Sequence, residues 1–407
     1  MARLEDYRPI AGTEVLEELS LLARPLSGKT ILNVNSTAVG GGVAEILHRM
    51  VPLMRELGLD VRWEVIKGGE DFYAVTKKFH NALHGDFQEI LPKDYQVYED
   101  TIDENLTHIG LEDEFVVIHD PQPAALVKRR KSLSNRWLWR CHIDLSRPRP
   151  EVWDFFKPYV EEYDACVFSA PSFAQSLSVP QYLISPSIDP LSDKNRELSA
   201  DELRRVQERL GIPTDKPLVT QVSRFDRLKD PLGVIEAFLR VKPYVDARLL
   251  LVGGTADDDP EGAEVLSEVR DKVRGEPDIL VLCLPPTSHL EINAIQRMSA
   301  VILQKSLREG FGLTVTEALW KGKPVIAGAV GGIPLQVSHK QSGILVHSVD
   351  GTAHWLKQLL NESEYAKKLG DSGREHVRQN FLITRNMRDY LLLFLAAQHA
   401  PADIIRL

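Results

Sequence analysis

The chain has 407 residues, 43% hydrophobic and 26% charged, a size that exceeds one ordinary core, so two or three domains of roughly 150 residues each are expected and wholesale disorder is not. Its 58 acidic and 49 basic residues leave a net charge of -9 spread along the chain, which argues against non-specific nucleic-acid binding and requires a local basic cluster for any anionic ligand. Cys141, Cys166 and Cys283 lie at no zinc or redox spacing, the polar N-terminus (Arg3, Glu5, Asp6, Arg8) lacks a secretory pattern, and no apolar run reaches the roughly 20 residues that span a bilayer. Buried thiols in a reducing cytoplasm, away from membranes, are the expectation.

In chain order, apolar runs alternate with amphipathic stretches. A strand is predicted at Thr30 to Val34, a helix at Val43 to Leu57, and strands at Val61 to Val65, Phe115 to His119, Ala165 to Phe168 and Tyr182 to Ile184. After Pro186-Ser187-Ile188-Asp189-Pro190 and a charged helix at Ala200 to Leu210, a second series begins. It runs through strands at Leu218 to Ser223, Arg248 to Gly253, Ile279 to Leu284, Val301 to Gln304 and Pro324 to Ala327, separated by helices that include Leu313 to Lys321. Short apolar strands alternating with helices imply parallel sheets covered on both faces, one in each half. Such sheets bind ligands at the C-terminal ends of their strands, so the expected site is a cleft between the halves. The leucine-rich stretch Asp389 to Gln398 is expected to form a further helix well past the second sheet, and whether it returns to the first half is left open by the sequence.

Three loops at strand ends carry the chemistry. Asn35-Ser36-Thr37-Ala38-Val39-Gly40-Gly41-Gly42 joins a strand to a helix, as a phosphate-approaching loop must, although it lacks the GxGxxG and Walker patterns and is also compatible with a tight turn. Ser223-Arg224-Phe225-Asp226-Arg227-Leu228-Lys229-Asp230 places Arg224 and Lys229 after the first strand of the second half, where two cations suit a diphosphate. Glu309-Gly310-Phe311-Gly312-Leu313-Thr314-Val315-Thr316-Glu317 sets one carboxylate in a glycine-broken loop and a second inside the following helix. The free N–H groups near Leu313 and Thr314 suit an anion, and Glu317 suits a diol such as a ribose. Together these features describe a nucleotide-sugar site.

The triple-glycine loop, the Arg224 and Lys229 pair and the Glu309 to Glu317 segment, in this order, resemble the retaining two-domain GT-B glycosyltransferases of the glycogen synthase and sucrose synthase type, over nearly the whole chain. His119-Asp120-Pro121-Gln122-Pro123, Trp137-Leu138-Trp139-Arg140-Cys141-His142-Ile143-Asp144 and Gly42-Val43-Ala44-Glu45 further resemble the glycosyltransferring trehalose synthases. That group moves glucose from a nucleoside diphosphate glucose to free glucose in an α,α-1,1 linkage. The resemblance implies an α/β GT-B fold of two doubly wound Rossmann-like domains. An acceptor domain would span 1–190 and a nucleotide-sugar donor domain 191–380, with the active site in the cleft between them and a helical segment at 381–407.

The resemblance further implies that Glu309 contacts sugar hydroxyls, Glu317 the ribose, and Arg224 and Lys229 the diphosphate. Gly41 and Gly42 would approach the donor phosphates, while Gly310, Phe311, Gly312, Leu313 and Thr314 line the donor. His142 would reach the donor sugar near its 6-hydroxyl. Asp120 and Gln122 lie at the mouth of the first sheet, where an acceptor is expected. The nucleobase would meet backbone near Gly253 to Thr255 and Leu284 to Pro286, which leaves ADP-, UDP- and GDP-glucose unseparated, and a homodimer is implied.

Asp257-Asp258-Asp259 fits a DxD metal motif, yet a polar loop before Pro260 is the expected reading. Arg224, Lys229 and a helix end can serve the diphosphate, so no metal or other cofactor is expected. Three alternatives stand beside transfer to glucose. A trehalose phosphorylase would use inorganic phosphate. A synthase accepting glucose 6-phosphate would call on a basic cluster such as Lys128-Arg129-Arg130-Lys131. A non-catalytic sugar-nucleotide binding module would bind without turnover. The same site can also run in reverse, from trehalose and a nucleoside diphosphate.

Overall fold

A computed structural model describes residues 2–39, 42–254 and 260–398. The chain divides into two compact units, residues 1–187 together with 383–407, and residues 188–382.

The first unit holds a six-stranded sheet of β1 (Thr30–Asn35), β2 (Asp60–Val65), β3 (Phe115–His119), β4 (Arg136–Arg140), β5 (Ala165–Phe168) and β6 (Gln181–Leu183). Its order is β2-β1-β3-β4-β5-β6 and every pairing is parallel. β3 (Phe-Val-Val-Ile-His) and β5 (Ala-Cys-Val-Phe) are mostly apolar, and every residue of both strands is buried, as a sheet covered on two faces requires. Helices Glu70–Leu83 and Pro92–Asn105 pack against each other, and their Phe72, Phe79, Tyr98 and Ile102 join the core that also holds Trp137 and Trp139. The helix Ile383–Gln398 belongs to this unit, where it packs on helices Thr13–Ala23 and Gly42–Glu56.

The second unit holds β7 (Leu218–Val222), β8 (Arg248–Gly253), β9 (Ile279–Cys283), β10 (Val301–Gln304), β11 (Val325–Gly328) and β12 (Ile344–Val346) in the order β12-β11-β10-β7-β8-β9, again all parallel. Its helix Ala200–Leu210 is delimited by local chemistry. Ser199 and Glu202 form a capping box, and Gly211 ends the helix in the left-handed region at φ 63°. The unit closes on itself at its ends, where Ile188 bridges Leu382 and its N–H donates to the Phe381 carbonyl at 2.9 Å.

Both orders contain a point where the chain reverses direction across the sheet: between β1 and β3 in the first unit, and between β7 and β10 in the second. Loops leaving the two strands at such a point diverge to opposite faces and open a crevice at the strands' C-terminal ends. Helices Thr13–Ala23, Glu70–Leu83, Pro92–Asn105, Pro150–Val160, Val349–Asn361 and Ser363–Asn380, and strand β12, are not among the predicted elements. β12 is only three residues long, and Pro92–Asn105 and Ser363–Asn380 are so polar that their apolar stripe is narrow.

Candidate functional site

In the second unit, the crevice between β7 and β10 gathers the predicted charged residues. The loop after β7 carries Arg224 and Lys229, and the loop after β10 carries Lys305, Ser306 and Glu309. Lys229 Nζ lies 2.7 Å from Glu309 Oε2, and Ser306 Oγ donates to the same oxygen at 3.1 Å. The Lys229 backbone is fixed from below, since Gln221 Nε2 on β7 donates to its carbonyl at 2.7 Å. Lys305 pairs with Asp230, whose other oxygen caps the helix Pro231–Val241 by accepting from Gly233 N at 3.0 Å. The two loops are joined directly where Leu307 N donates to the Leu228 carbonyl at 2.7 Å. Arg224 differs from Lys229: its side chain is 65% exposed and, among the described residues, pairs only with Asp226, at 3.2 Å.

Gly312, at φ 84°, turns the chain into helix Leu313–Trp320, whose first N–H groups have no acceptor within the helix and so present positive charge beside Glu309. Gly310 is pinned by its carbonyl, which accepts from Gly332 N at 2.9 Å. Phe311 turns its ring into the core, 5.7 Å from that of Phe381, so only its backbone is available to a ligand. Glu317 is likewise buried, with Oε1 3.0 Å from Lys194 Nζ and Oε2 buried without a hydrogen-bond partner. Lys321 lies one turn on, donating to Asn195 Oδ1 at 3.0 Å and to the Glu317 carbonyl at 3.1 Å. Burial drives its amine down to about 7, against the pull of the nearby Glu317 carboxylate.

In the first unit, Asp120, Gln122 and His142 sit at the C-terminal ends of β3 and β4. Asp120 adopts φ 66°, a strained conformation for a non-glycine residue, and is held by a bond from its N–H to the Arg140 carbonyl at 2.8 Å and from Trp139 Nε1 to its own carbonyl at 3.1 Å. That geometry turns its Oδ1 to accept from His142 N at 2.7 Å. The His142 ring lies 3.1 Å, Nε2 to Nδ1, from His119, whose Nε2 lies 3.0 Å from Asn33 Oδ1 on β1. Burial, reinforced by the Arg140 guanidinium, holds His119 at about 3 and His142 well below the usual imidazole range, while burial pushes Asp120 up to about 6. Both imidazoles are therefore neutral at pH 7. Gln122 Oε1 is buried without a hydrogen-bond partner.

Several expectations fall elsewhere. Gly42 opens helix Gly42–Glu56, whereas Gly40, Gly41, Thr255 and Asp257 to Asp259 lie outside the described residues. The basic run at 128–131 leads back to the N-terminal edge of β4, away from Asp120 and His142. There Lys128 pairs with Asp103, Arg130 with Asp164 and Lys131 with Glu162. Cys141 and Cys166 are buried as expected. Cys283 is not, because it ends β9, an edge strand. Among the described residues no group of three or more His, Cys, Asp or Glu side chains could hold a metal ion, and no helix is long and apolar enough to cross a membrane. The sequence reading passed over Asn33, His119, Lys194, Lys305 and Ser306. Lys305 and Ser306 had a visible signal, since they directly follow a predicted strand, while the others matter only through contacts made by the fold.

Residues 33–175 match the family described as "Trehalose synthase, N-terminal domain", and residues 204–376 match "Glycosyl transferases group 1". The chain is 46% identical to trehalose synthase of Pyrococcus horikoshii over 96% of this chain and 95% of that one. It is 44% identical to trehalose synthase of Rubrobacter xylanophilus over 96% of each. Trehalose phosphorylase of Pleurotus pulmonarius is 28% identical over 99% of this chain and 62% of that longer protein. Among solved structures, sucrose-phosphate synthase of Thermosynechococcus elongatus superposes with a TM-score of 0.71 at 19% identity, covering 90% of this chain and 100% of that one. The UDP-forming α,α-trehalose-phosphate synthase of Burkholderia xenovorans superposes with a TM-score of 0.72 at 16% identity, covering 91% and 100%. At those identities the superpositions establish the GT-B fold.

Proposed function

The chain belongs to the trehalose synthase family of group 1 glycosyl transferases, and from that premise we propose that it transfers a glucosyl unit, with retention of the α configuration, from a nucleoside diphosphate glucose to free glucose. That it is a hexosyltransferase follows from the family. The donor, the acceptor and the residue roles are the proposal. The observation that carries the donor reading is the Lys229–Glu309 pair at 2.7 Å beside the N-terminus of helix Leu313–Trp320, at the reversal point between β7 and β10.

In this reading the bond from the anomeric carbon to the diphosphate oxygen breaks as the acceptor hydroxyl oxygen bonds to the same face of that carbon. The hydroxyl's proton passes to the departing phosphate oxygen. Arg224, Lys229 and the first N–H groups of helix Leu313–Trp320 stabilise the charge that develops on the diphosphate, so the proposal calls for no metal. Glu309, held by Lys229 and Ser306, orients sugar hydroxyls. A double displacement would need a carboxylate about 5 Å from an acid partner across the sugar, and no pair of acids is assigned that task. Glu317 Oε2 serves the ribose, and His142 serves the glucosyl unit. Asp120 and Gln122 serve the acceptor.

An uncharged acceptor is favoured by the basic run at 128–131, of which Lys128, Arg130 and Lys131 are paired with acids and which leads to the N-terminal end of β4, away from Asp120. The test is to offer ADP-, UDP- and GDP-glucose with glucose or glucose 6-phosphate and identify the product. A non-reducing disaccharide from free glucose is expected. Turnover of trehalose only with inorganic phosphate would replace the proposal by a phosphorylase, and heat of binding without turnover would replace it by a binding module. A cytoplasmic homodimer completes the proposal, its assembly to be read by sedimentation.

A further inference from the structure

Asn33 on β1, His119 at the end of β3 and His142 just after β4 form a hydrogen-bonded row across three adjacent strands; Asn33 and His119 are buried and His142 is half-buried. Each contact in that row carries one proton. Asn33 Oδ1 has no proton to give, so at 3.0 Å the proton belongs to His119 Nε2. A neutral His119 then has a bare Nδ1, and the proton of the 3.1 Å contact must come from His142 Nε2. A neutral His142 is thereby left with its lone pair on Nδ1.

The geometry points to His119 and Asn33 as positioning residues that fix the His142 tautomer, so that His142 Nδ1 accepts a hydrogen bond from a hydroxyl of the glucosyl unit. This rests on the reading that His142 meets the donor sugar, and it adds how the imidazole is prepared to do so. Three further features hold the arrangement. Asp120 Oδ1 anchors the backbone of His142 at 2.7 Å, and the two rings lie nearly parallel, 16° apart with centroids at 5.4 Å. The buried Arg140 guanidinium, bonded to Ser169 Oγ at 3.1 Å, disfavours a second proton on either ring. A doubly protonated His142 would have no lone pair to offer a hydroxyl.

The test is nitrogen-15 NMR of the histidine rings in the full chain at pH 7, which reports directly which ring nitrogen is protonated. Both His119 and His142 are expected as the Nε2–H tautomer. Protonation on Nδ1 in either ring, or a charged imidazole, would overturn the proposal. In Asn33→Leu, which removes the acceptor, His142 should become a mixture of tautomers, with kcat falling roughly 10-fold, the scale of one oriented hydrogen bond, at unchanged KM for the donor. A His142 spectrum unchanged in Asn33→Leu would also refute the relay. The spectra require no substrate, so they decide the relay even if the chain proves to use another donor. Should Asn33→Leu fail to fold, the wild-type spectrum still decides.

Discussion

Arg224 and Lys229 follow the same strand, yet they are held so differently that their substitution should separate chemistry from stability. Arg224 is 65% exposed and pairs with Asp226, so Arg224→Ala is expected to leave unfolding within about 0.5 kcal/mol of the parent while lowering kcat about 100-fold, the scale of a lost charge-stabilising donor. Lys229 is 18% exposed and pairs with Glu309, so Lys229→Ala should lower kcat similarly and also cost about 1–2 kcal/mol by leaving a half-buried carboxylate with only the Ser306 hydroxyl. Steady-state kinetics beside urea unfolding check both, and full activity in the two variants would remove the diphosphate site. His119 gives a pH signature. Its folded pKa of about 3 lies below the ordinary 6.5, so the unfolded chain binds more protons between those values and stability is lost as pH falls from about 6.5 toward 3. Asp120 acts oppositely: its folded value of about 6 exceeds 3.8, and its contribution, full below 3.8, is lost as pH rises through about 6. Comparing parent with His119→Gln isolates the imidazole. Between pH 7 and pH 5 the parent should lose about 2 kcal/mol more than the variant, read from urea midpoints at each pH.

At the scale of elements, the donor loops are built by close backbone approach. The segment after β11 passes so near the Glu309 loop that a Cβ on Gly331, itself at φ 55°, would stand 1.7 Å from the Glu309 carbonyl oxygen. Gly331→Ala must therefore shift the loop carrying Glu309, and a displacement of about an ångström lowers turnover on the order of 100-fold. Gly322→Ala is the control, since Gly322 has φ 69° and nothing within 4 Å of its added Cβ. It should bear the strain of the left-handed conformation, about 1 kcal/mol, with kcat preserved. Equal kcat in the two variants would show that the approach at Gly331 does not set the loop. The same geometry explains what the sequence disclosed. The alternation of apolar runs with helices, and the punctuation by Gly310 and Gly312, follow from local chemistry and were legible. So were Arg224, Lys229 and Glu309, because they directly follow buried strands. The engagement of Glu317 by Lys194, the row of Asn33, His119 and His142, and the inward turn of Phe311 were not legible. Each depends on segments distant in sequence that only the fold brings together.

At the scale of the whole molecule, the chain leaves the first unit at residue 187 and returns to it at 383, so that unit is completed only by the last described helix. The run Leu391-Leu392-Leu393-Phe394-Leu395 could suggest a helix apolar all round, but the structure divides it. Ile383, Met387, Tyr390, Leu391 and Phe394 form one buried stripe at helical spacing, while Leu392 is 41% exposed. That stripe faces helices Thr13–Ala23 and Gly42–Glu56, with Phe394 5.1 Å from Phe115 on β3. Polar contacts fix the helix at its start: Arg385 Nη2 and Asn386 Nδ2 donate to the Ser185 carbonyl at 2.8 and 3.1 Å, and farther on Arg388 meets Glu18 at 2.7 Å. The helix is thus a covering layer of the first sheet rather than an appendage of the second unit. Phe394→Ala should cost about 3–5 kcal/mol, the usual penalty for deleting a buried aromatic ring, and that loss should fall on one unit. Hydrogen exchange of the full chain would locate it. Amides of β1, β3 and β4 should exchange faster, while those of β7, β8 and β10, in a unit whose ends are tied by the Ile188–Leu382 bridge, should keep their protection. Equal loss in both sheets would mean that the units unfold as one, and that the last helix stabilises the whole chain instead of the sheet it covers.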